Sequence, residues 1–121
     1  MNGFELCKDI CNLHSSILGA GIIEKASLVA IYSRPGSPIP TKEKFDHLFF
    51  QTEVIASIMN KNADFFGAPK TFSLYYENAD VYFFHLFRYG GKRGVLAVLI
   101  TSPYDHEDLI ERISACLEQN L

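Results

Sequence analysis

The sequence predicts an α+β fold, in the form of a three-layer α/β/α sandwich with a five-stranded, mostly antiparallel sheet. One observation is the helical spacing of apolar residues near both ends of the chain and in its middle. A second is a set of three strand-like segments separated by gaps of hairpin size. The third is "VYFFHLF", in which both alternating sets are apolar or aromatic, whereas a sheet wetted on one side alternates apolar with polar residues. We therefore expect helices on both faces of the sheet, in the order α-β-β-α-β-β-β-α.

The size and composition of the chain favour a single domain over residues 1–121. The chain has 121 residues, of which 48% are hydrophobic, and its formal net charge is −3. A general nucleic-acid binder would normally show a concentrated basic face, so this charge argues against that class. Three observations predict a soluble, cytoplasmic protein without a membrane span. The three cysteines have no repeated spacing, the start has no signal-peptide pattern, and there is no long apolar run.

The first third of the chain predicts a helix followed by two strands. The apolar spacing predicts a helix from Phe4 to Leu18, which Gly19 and Gly21 would end. Its buried face would comprise Leu6, Ile10, Leu13 and Ile17. "SLVAIYS", residues 27–33, is β-rich and predicts a strand, and Ile39 between two prolines predicts a brief second strand at a sheet edge.

The rest of the chain predicts a helix, three strands and a last helix. Thr41 is the expected N-cap of a helix that runs to Asn60. The three strands are Lys70 to Glu77, Asp80 to Tyr89 and Gly94 to Ile100, joined by hairpin loops at Asn78-Ala79 and "GGKRG". Ser102 is the expected N-cap of the last helix, with Pro103 at its first position and Asp105, Glu107 and Asp108 in its first turn. The apolar face of this helix comprises Leu109, Ile110, Ile113 and Leu117.

The second helix is apolar on two sides. What we call the inner stripe comprises Phe45, Leu48, Phe49, Thr52, Ile55, Ala56 and Met59. At about 100° per residue, Phe50, Val54 and Ile58 fall on the opposite side, and we call them the outer stripe. The inner stripe can cover the sheet, so the outer stripe needs another partner, because a contiguous exposed apolar patch normally marks an interaction surface.

Self-association is the simplest use of the outer stripe, since two-fold homodimers are the commonest oligomers. The alternative is that another helix or the "RPGSP" loop of the same chain covers it. The strand "KTFSLYYE" carries one lysine and no internal proline, so at a sheet edge it would be weakly protected against pairing. The expected interface residues are His47, Phe50, Val54, Ser57, Ile58, Thr71, Ser73 and Tyr75.

This element order, with a two-faced second helix and a three-strand meander, resembles the Roadblock family of dynein light-chain-like domains over nearly the whole chain. The local similarities are "LGAGIIEKASLVAIYS", residues 18–33, and the hairpin "YYENADVYFF". The resemblance implies one helix on one face of a five-stranded sheet and two on the other. It also implies homodimers or heterodimers with a paralogous chain, formed through the second helix and an edge strand, and the scaffolding or regulation of small Ras-like GTPases or motor complexes. Longin and profilin-like domains share much of this layout.

The residue types that carry chemistry form no recognisable catalytic pattern, so we expect no catalytic residues, no metal and no cofactor. Cys7, Cys11 and His14 have a helical spacing that could offer three ligands to zinc, although a structural site usually needs four. Buried structural cysteines are the competing interpretation. "RYGGKRG" lacks the ending and the following helix of a nucleotide-binding loop, so a solvated hairpin is expected.

The sequence therefore favours a non-enzymatic, dimerising scaffold or regulatory module that binds a small Ras-like GTPase. A rival interpretation is a small-molecule sensor of PAS- or profilin-like shape, with Phe72, Phe84 and Phe87 lining a pocket. A longin-like trafficking module is a further alternative.

Overall fold

The computed structural model describes residues 2–25, 27–37, 42–86 and 94–120. The elements, in chain order, are α1 (Gly3–Cys11), β1 (Ile17–Glu24), β2 (Ser27–Ser33), α2 (Lys42–Asn60), the short α3 (Ala63–Phe66), β3 (Thr71–Tyr75), β4 (Asp80–Leu86), β5 (Gly94–Ile100) and α4 (His106–Asn120). The strands form one sheet in the order β2-β1-β5-β4-β3, with every neighbouring pair antiparallel. The predicted fold class is confirmed.

Apolar side chains cover both faces of this sheet, as the doubly apolar strands predicted. On one face, α1 and α4 pack over Tyr82, Phe84 and Leu86 of β4. On the other face, α2 packs over Val81 and Phe83 of the same strand. The sheet therefore has two helices on one side and α2 on the other, and the two cores meet only through its strands.

The first helix is shorter than predicted. It ends at Cys11, and Ile17–Glu24 is a strand, where the apolar spacing had predicted a helix as far as Leu18. β1 lies between β2 and β5, so its side chains are buried on both faces and the strand is apolar on both. Over a few residues, a doubly buried strand cannot be told from a helix face by spacing alone.

Gly19 and Gly21 do not end a helix, because they lie inside β1. A Cβ at position 19 would lie 3.2 Å from the carbonyl oxygen of Tyr32, and one at position 21 would lie 2.9 Å from Cδ1 of Leu28. These glycines therefore permit close approach of β2 rather than a change of direction.

The segment predicted as the first strand is the second one. Ser27–Ser33 pairs with β1 in a hairpin that turns at Lys25, whose φ is 49°. The pairing shifts register between Ile22 and Ile23, which leaves Val29 as the extra residue of a β-bulge. The strand predicted around Ile39 lies outside the described residues, as does the expected N-cap Thr41.

The last helix begins later than predicted. Helix α4 starts at His106, and the backbone N–H of Asp108 donates to Oδ1 of Asp105, 3.1 Å away, so Asp105 is the N-cap in place of Ser102. Pro103 precedes the helix and does not occupy its first position. The expected buried face is confirmed, with Leu109, Ile113 and Leu117 buried and Ile110 half-buried.

Of the three meander strands, β3 is shorter than predicted, β4 starts where predicted, and β5 matches the prediction at both ends. β3 is confined to Thr71–Tyr75, and β4 is described as far as Leu86. The predicted end of β4 and the first four residues of "GGKRG" lie outside the described residues, and its last residue, Gly94, begins β5. Within the described ranges, no helix combines the length and the apolar character that spanning a bilayer requires.

Candidate interaction surface

The outer stripe of α2 is exposed. Phe50, Val54 and Ile58 leave 67%, 46% and 55% of their surfaces accessible. The opposite side of the helix is buried in the core, where Phe49 and Thr52 are each 2% exposed. Thr52 is accommodated there because its hydroxyl donates to the carbonyl oxygen of Leu48, 2.8 Å away. No described part of the chain covers the outer stripe, so the described residues do not support the rival interpretation that the chain covers it itself.

His47 and Ser57 lie on the same side of α2 as the outer stripe and are also exposed. The helix therefore presents three large apolar side chains with two polar ones beside them. This composition is typical of a surface that packs against another protein while remaining compatible with water in the free chain.

β3 is an edge strand, and its free backbone groups can be identified from the hydrogen bonds that flank it. The N–H of Tyr76 donates to the carbonyl of Ala79, and the N–H of His85 donates to the carbonyl of Lys70. Hydrogen-bonded pairs alternate along an antiparallel ladder, so residues 70, 72, 74 and 76 bond to β4. The backbone groups of Thr71, Ser73 and Tyr75 therefore face the open edge of the sheet.

The side chains of the eight predicted interface residues do not form one continuous surface. Phe72 and Leu74 pack in the core under α2, so the alternate residues Thr71, Ser73 and Tyr75 point to the face that carries α1 and α4. The ring of Tyr75 accordingly contacts Tyr82 there. The α2 residues and the β3 residues can share a partner only where that partner meets both α2 and the sheet edge.

A groove of about 790 Å³ opens between the first half of α2 and the sheet. Its walls are mainly apolar and include Leu28, Ile31 and Leu99 from the strands. From α2 it is lined by Lys44, Phe45, His47, Leu48, Phe49 and Gln51. Sequence reasoning missed this groove, because it arises from a single helix covering five strands and no local pattern encodes it.

The aromatic pocket of the sensor hypothesis is not assembled. Phe72 packs under α2, whereas Phe84 packs on the opposite face under α1 and α4, so the sheet separates the two rings. Phe87, the third proposed member, lies outside the described residues.

A polar network joins β4 to the beginning of α4 and was missed by sequence reasoning. The hydroxyl of Tyr104 donates to Oδ2 of Asp80 at 2.5 Å and lies 2.9 Å from the hydroxyl of Tyr82, which also contacts Nδ1 of His106. Burial raises the pKa of Tyr82 to about 12 and also raises that of Tyr104. Asp80 and Tyr82 can be buried because this network supplies their hydrogen bonds.

The cysteines of α1 are core residues. Cys7 and Cys11 are fully buried, and burial raises their thiol pKa values to about 12 and about 11. Nδ1 of His14 instead accepts a hydrogen bond from the backbone N–H of Ser16 at 3.0 Å. Within the described part of the chain, no three His, Cys, Asp or Glu side chains converge as metal ligands.

Arg34 closes the end of α1 and was also missed by sequence reasoning. Its guanidinium donates to three backbone carbonyls, those of Cys11 (2.5 Å), His14 (3.1 Å) and Ile17 (3.0 Å). The carbonyl of Cys11 is one of those left without a partner at the end of a helix, and Arg34 supplies the bond. Arg34 thereby joins the segment after β2 to the connection between α1 and β1.

Together, the antiparallel order β2-β1-β5-β4-β3, the α1/α4 layer and the single α2 layer match the Roadblock/longin-like fold. Among solved structures, the Roadblock/LC7 domain from Streptomyces avermitilis superposes with a TM-score of 0.71 at 11% identity, covering 98% of this chain and 94% of that one. Gliding protein MglB from Thermus thermophilus gives 0.70 at 16% identity, covering 95% and 84%. An MglB with a tetrameric arrangement gives 0.66 at 15% identity, covering 97% and 88%.

The resemblance to the Roadblock family is thus confirmed at the level of fold. In sequence, the chain matches no family model and no curated protein.

Proposed function

We propose that this chain is a non-enzymatic module that forms dimers through α2 and β3 and scaffolds or regulates a small Ras-like GTPase. The partner in the dimer is a second copy or a paralogous chain of the same fold. The observation that carries the proposal is the exposed outer stripe, Phe50, Val54 and Ile58, on a helix whose opposite side packs against the sheet.

The energetic argument is the cost of leaving this stripe in water. Complete burial of a Phe, Val or Ile side chain contributes roughly 1.5–3 kcal/mol, and these three side chains retain about half or more of their exposure. A two-fold axis across α2 would bury both copies of the stripe at once, doubling the gain from one set of residues.

The backbone of β3 supports the same association. Its outward-facing N–H and C=O groups, at Thr71, Ser73 and Tyr75, are symmetric about Ser73. Two β3 strands can therefore pair antiparallel about an axis at Ser73 and extend the sheet across the dimer. No charged residue or proline lies within Thr71–Tyr75 to oppose that pairing.

The GTPase part of the proposal is supported by the fold. The resemblance to Roadblock domains implies small Ras-like GTPases as partners, and the structural neighbours include a gliding protein MglB. Another structural neighbour, an MglB with a tetrameric arrangement, supports the proposal that this chain self-associates.

Replacing Phe50 and Val54 together by Asp tests the dimer. We expect the native chain to sediment as a dimer at micromolar concentration, and the double variant as a monomer. Two charges buried in each stripe should weaken the dimer by about a hundredfold or more. Phe4→Asp is the matched control, because Phe4 is 52% exposed on α1, across the sheet from α2. A native chain that remains monomeric would overturn the proposal.

The same variants test the GTPase. Affinity capture from the source cell, followed by mass spectrometry, should recover a Ras-like GTPase with the native chain and with Phe4→Asp. The double variant should lose it if the dimer forms the binding surface. Recovery of no GTPase with the native chain would leave self-association standing and remove the GTPase from the proposal.

A further inference from the structure

Two adjacent phenylalanines after α2 are almost fully exposed. Phe65 and Phe66 leave 84% and 79% of their surfaces accessible, the largest exposed fractions among the large apolar residues of the described chain. Their rings pack edge to face on each other, with centroids 4.7 Å apart. We call them the phenylalanine pair. Two exposed aromatic rings side by side form an apolar patch of the kind that normally marks a contact surface.

The pair lies on a nearly continuous helical path from α2. The N–H groups of Lys61 and Asn62 donate to the carbonyls of Ile58 and Met59, and the N–H of Phe66 donates to Asn62. The chain thus passes through a single turn at Lys61 and Asn62 into the separate helix α3, which ends at Gly67, whose φ is 83°. At about 1.5 Å per residue, Phe65 lies roughly 16 Å beyond Val54, the central residue of the outer stripe.

The proposed dimer fixes what faces this position. A two-fold axis perpendicular to the extended sheet reverses every element that runs along the sheet, so α2 and its copy are antiparallel. With the axis at Val54, residue i lies opposite residue 108 − i of the copy. The phenylalanine pair then lies opposite the first turn of the partner's α2, at positions 42 and 43.

The groove of about 790 Å³ lies at this end of α2, where Lys44, Phe45 and Leu48 line it. Its volume falls within the range of about 300–1,000 Å³ in which protein cavities hold drug-sized molecules, so it can accept two phenyl rings. Its mainly apolar walls match the rings chemically. The most exposed apolar side chains of the described chain and this mainly apolar groove thus face each other in the proposed dimer.

We propose that the phenylalanine pair of each copy inserts into the groove of the other, so that each groove is completed by the second chain. This inference rests on the proposed dimer and adds a contact that the outer stripe and β3 do not make. Because the arrangement is two-fold, the contact occurs twice.

Charge complementarity supports the same register. Asp64 lies opposite Lys44 of the copy, since 64 and 44 sum to 108, and these residues have opposite charges. Lys61 lies opposite position 47, next to Asp46. A parallel arrangement would instead place Asp64 beside the Asp64 of the copy, so the charges favour the antiparallel register.

Removal of the rings is the first test. We expect Phe65→Ser with Phe66→Ser to raise the dimer dissociation constant about tenfold or more in sedimentation equilibrium. Phe4→Ser, the control on the opposite side of the sheet, should leave it unchanged. Because the pair is exposed in the single chain, the circular dichroism spectrum and melting temperature of the diluted monomer should not change.

A designed disulfide tests the register independently. Lys44→Cys combined with Asp64→Cys should give a covalent dimer on a non-reducing gel after mild oxidation. Lys44→Cys alone should not, because the two copies of position 44 lie about 30 Å apart along antiparallel helices. Cys7 and Cys11 are buried, and the half-buried Cys116 is replaced by Ser in both variants so that it cannot compete.

The outcomes separate this inference from the proposed dimer. Suppose that the serine variant keeps the native dissociation constant, that the cysteine pair gives no cross-link, and that Phe50→Asp with Val54→Asp still yields a monomer. These results would overturn the inserted pair and leave the proposed dimer intact. A native chain that is always monomeric overturns both. Native mass spectrometry that finds one small molecule per groove on the dimer would assign a different occupant and overturn the insertion. A serine variant that still dimerises but no longer captures the GTPase would do the same.

Discussion

At the scale of single residues, the structure depends on side chains whose roles involve backbone groups far away in sequence. Arg34 is the clearest case, because its three acceptors are carbonyls 17–23 residues earlier in the chain. In the sequence it stands in "SRPGSP", a context typical of a solvated loop cation. Its role depends on the position of α1, which no local pattern around Arg34 specifies.

Arg34→Met should destabilise the fold by about 1.5–3 kcal/mol, because it removes charged hydrogen bonds and leaves carbonyls without their donor. Arg34→Lys should be intermediate, since a single ammonium cannot reach all three acceptors at once. Urea unfolding followed by circular dichroism measures both. Arg112→Met is the comparison, because its half-exposed ion pair with Asp108 and its single exposed bond to the carbonyl of Leu13 should together contribute less, about 0–1 kcal/mol. Equal losses at positions 34 and 112 would contradict the role given to Arg34.

The buried thiols predict a loss of stability at alkaline pH. Cys7 and Cys11 have pKa values raised by burial to about 12 and about 11, from 9.0 for a free thiol. Between pH 9 and the raised pKa of each thiol, the unfolded chain releases a proton that the folded chain retains. The free energy of unfolding therefore falls as pH rises above 9. The slope is up to about 1.4 kcal/mol per pH unit for each thiol. Chemical unfolding at pH 8–11 should show the decline, and Cys7→Ala should make it shallower; an unaltered slope would contradict this assignment.

At the scale of elements, the spacing of apolar residues predicted those elements that have sides in clearly different environments. Helix α2 could be placed with both of its stripes because one is buried and the other exposed. Strand β1 could not be recognised, because it is central and apolar on both faces, and because Ile17 extends the helical spacing of Leu6 and Ile10 by coincidence. Only the pairing of Gly19 and Gly21 with β2 reveals why two glycines stand there.

Gly19→Ala should therefore destabilise the fold, although alanine is otherwise no worse than glycine in a strand. Its Cβ would lie 3.2 Å from the backbone oxygen of Tyr32, and crowding of this kind costs about 1–3 kcal/mol. Gly94→Ala is the matched control in β5, where the nearest atom would lie 3.5 Å away, at ordinary contact distance. Thermal unfolding should give a lower midpoint for Gly19→Ala than for Gly94→Ala, and the reverse order would contradict the packing argument.

At the scale of the whole molecule, the asymmetry of the three layers determines what is left for partners. Two helices cover one face of the sheet, and α2 alone covers the other, so one side of α2 leaves the groove open. The sequence predicted the layers and the two-sided α2, and it predicted pairing through β3 on the condition that this strand lies at a sheet edge. It could not predict the groove or the joint position of α2 and β3, because both depend on how the elements pack across the sheet.

The bulge at Val29 bears on how large an assembly of this chain can grow. If two sheets join through β3, a ten-stranded ribbon results with β2 at each outer border, and "SLVAIYS" contains no charge or proline to deter further additions. Ribbons that add strands at both borders become fibres. The extra residue at Val29 breaks the regular spacing of the border and increases its twist, so an incoming strand cannot match it along its full length. If the proposed dimer forms, this single irregular residue would oppose the addition of further strands at the outer border.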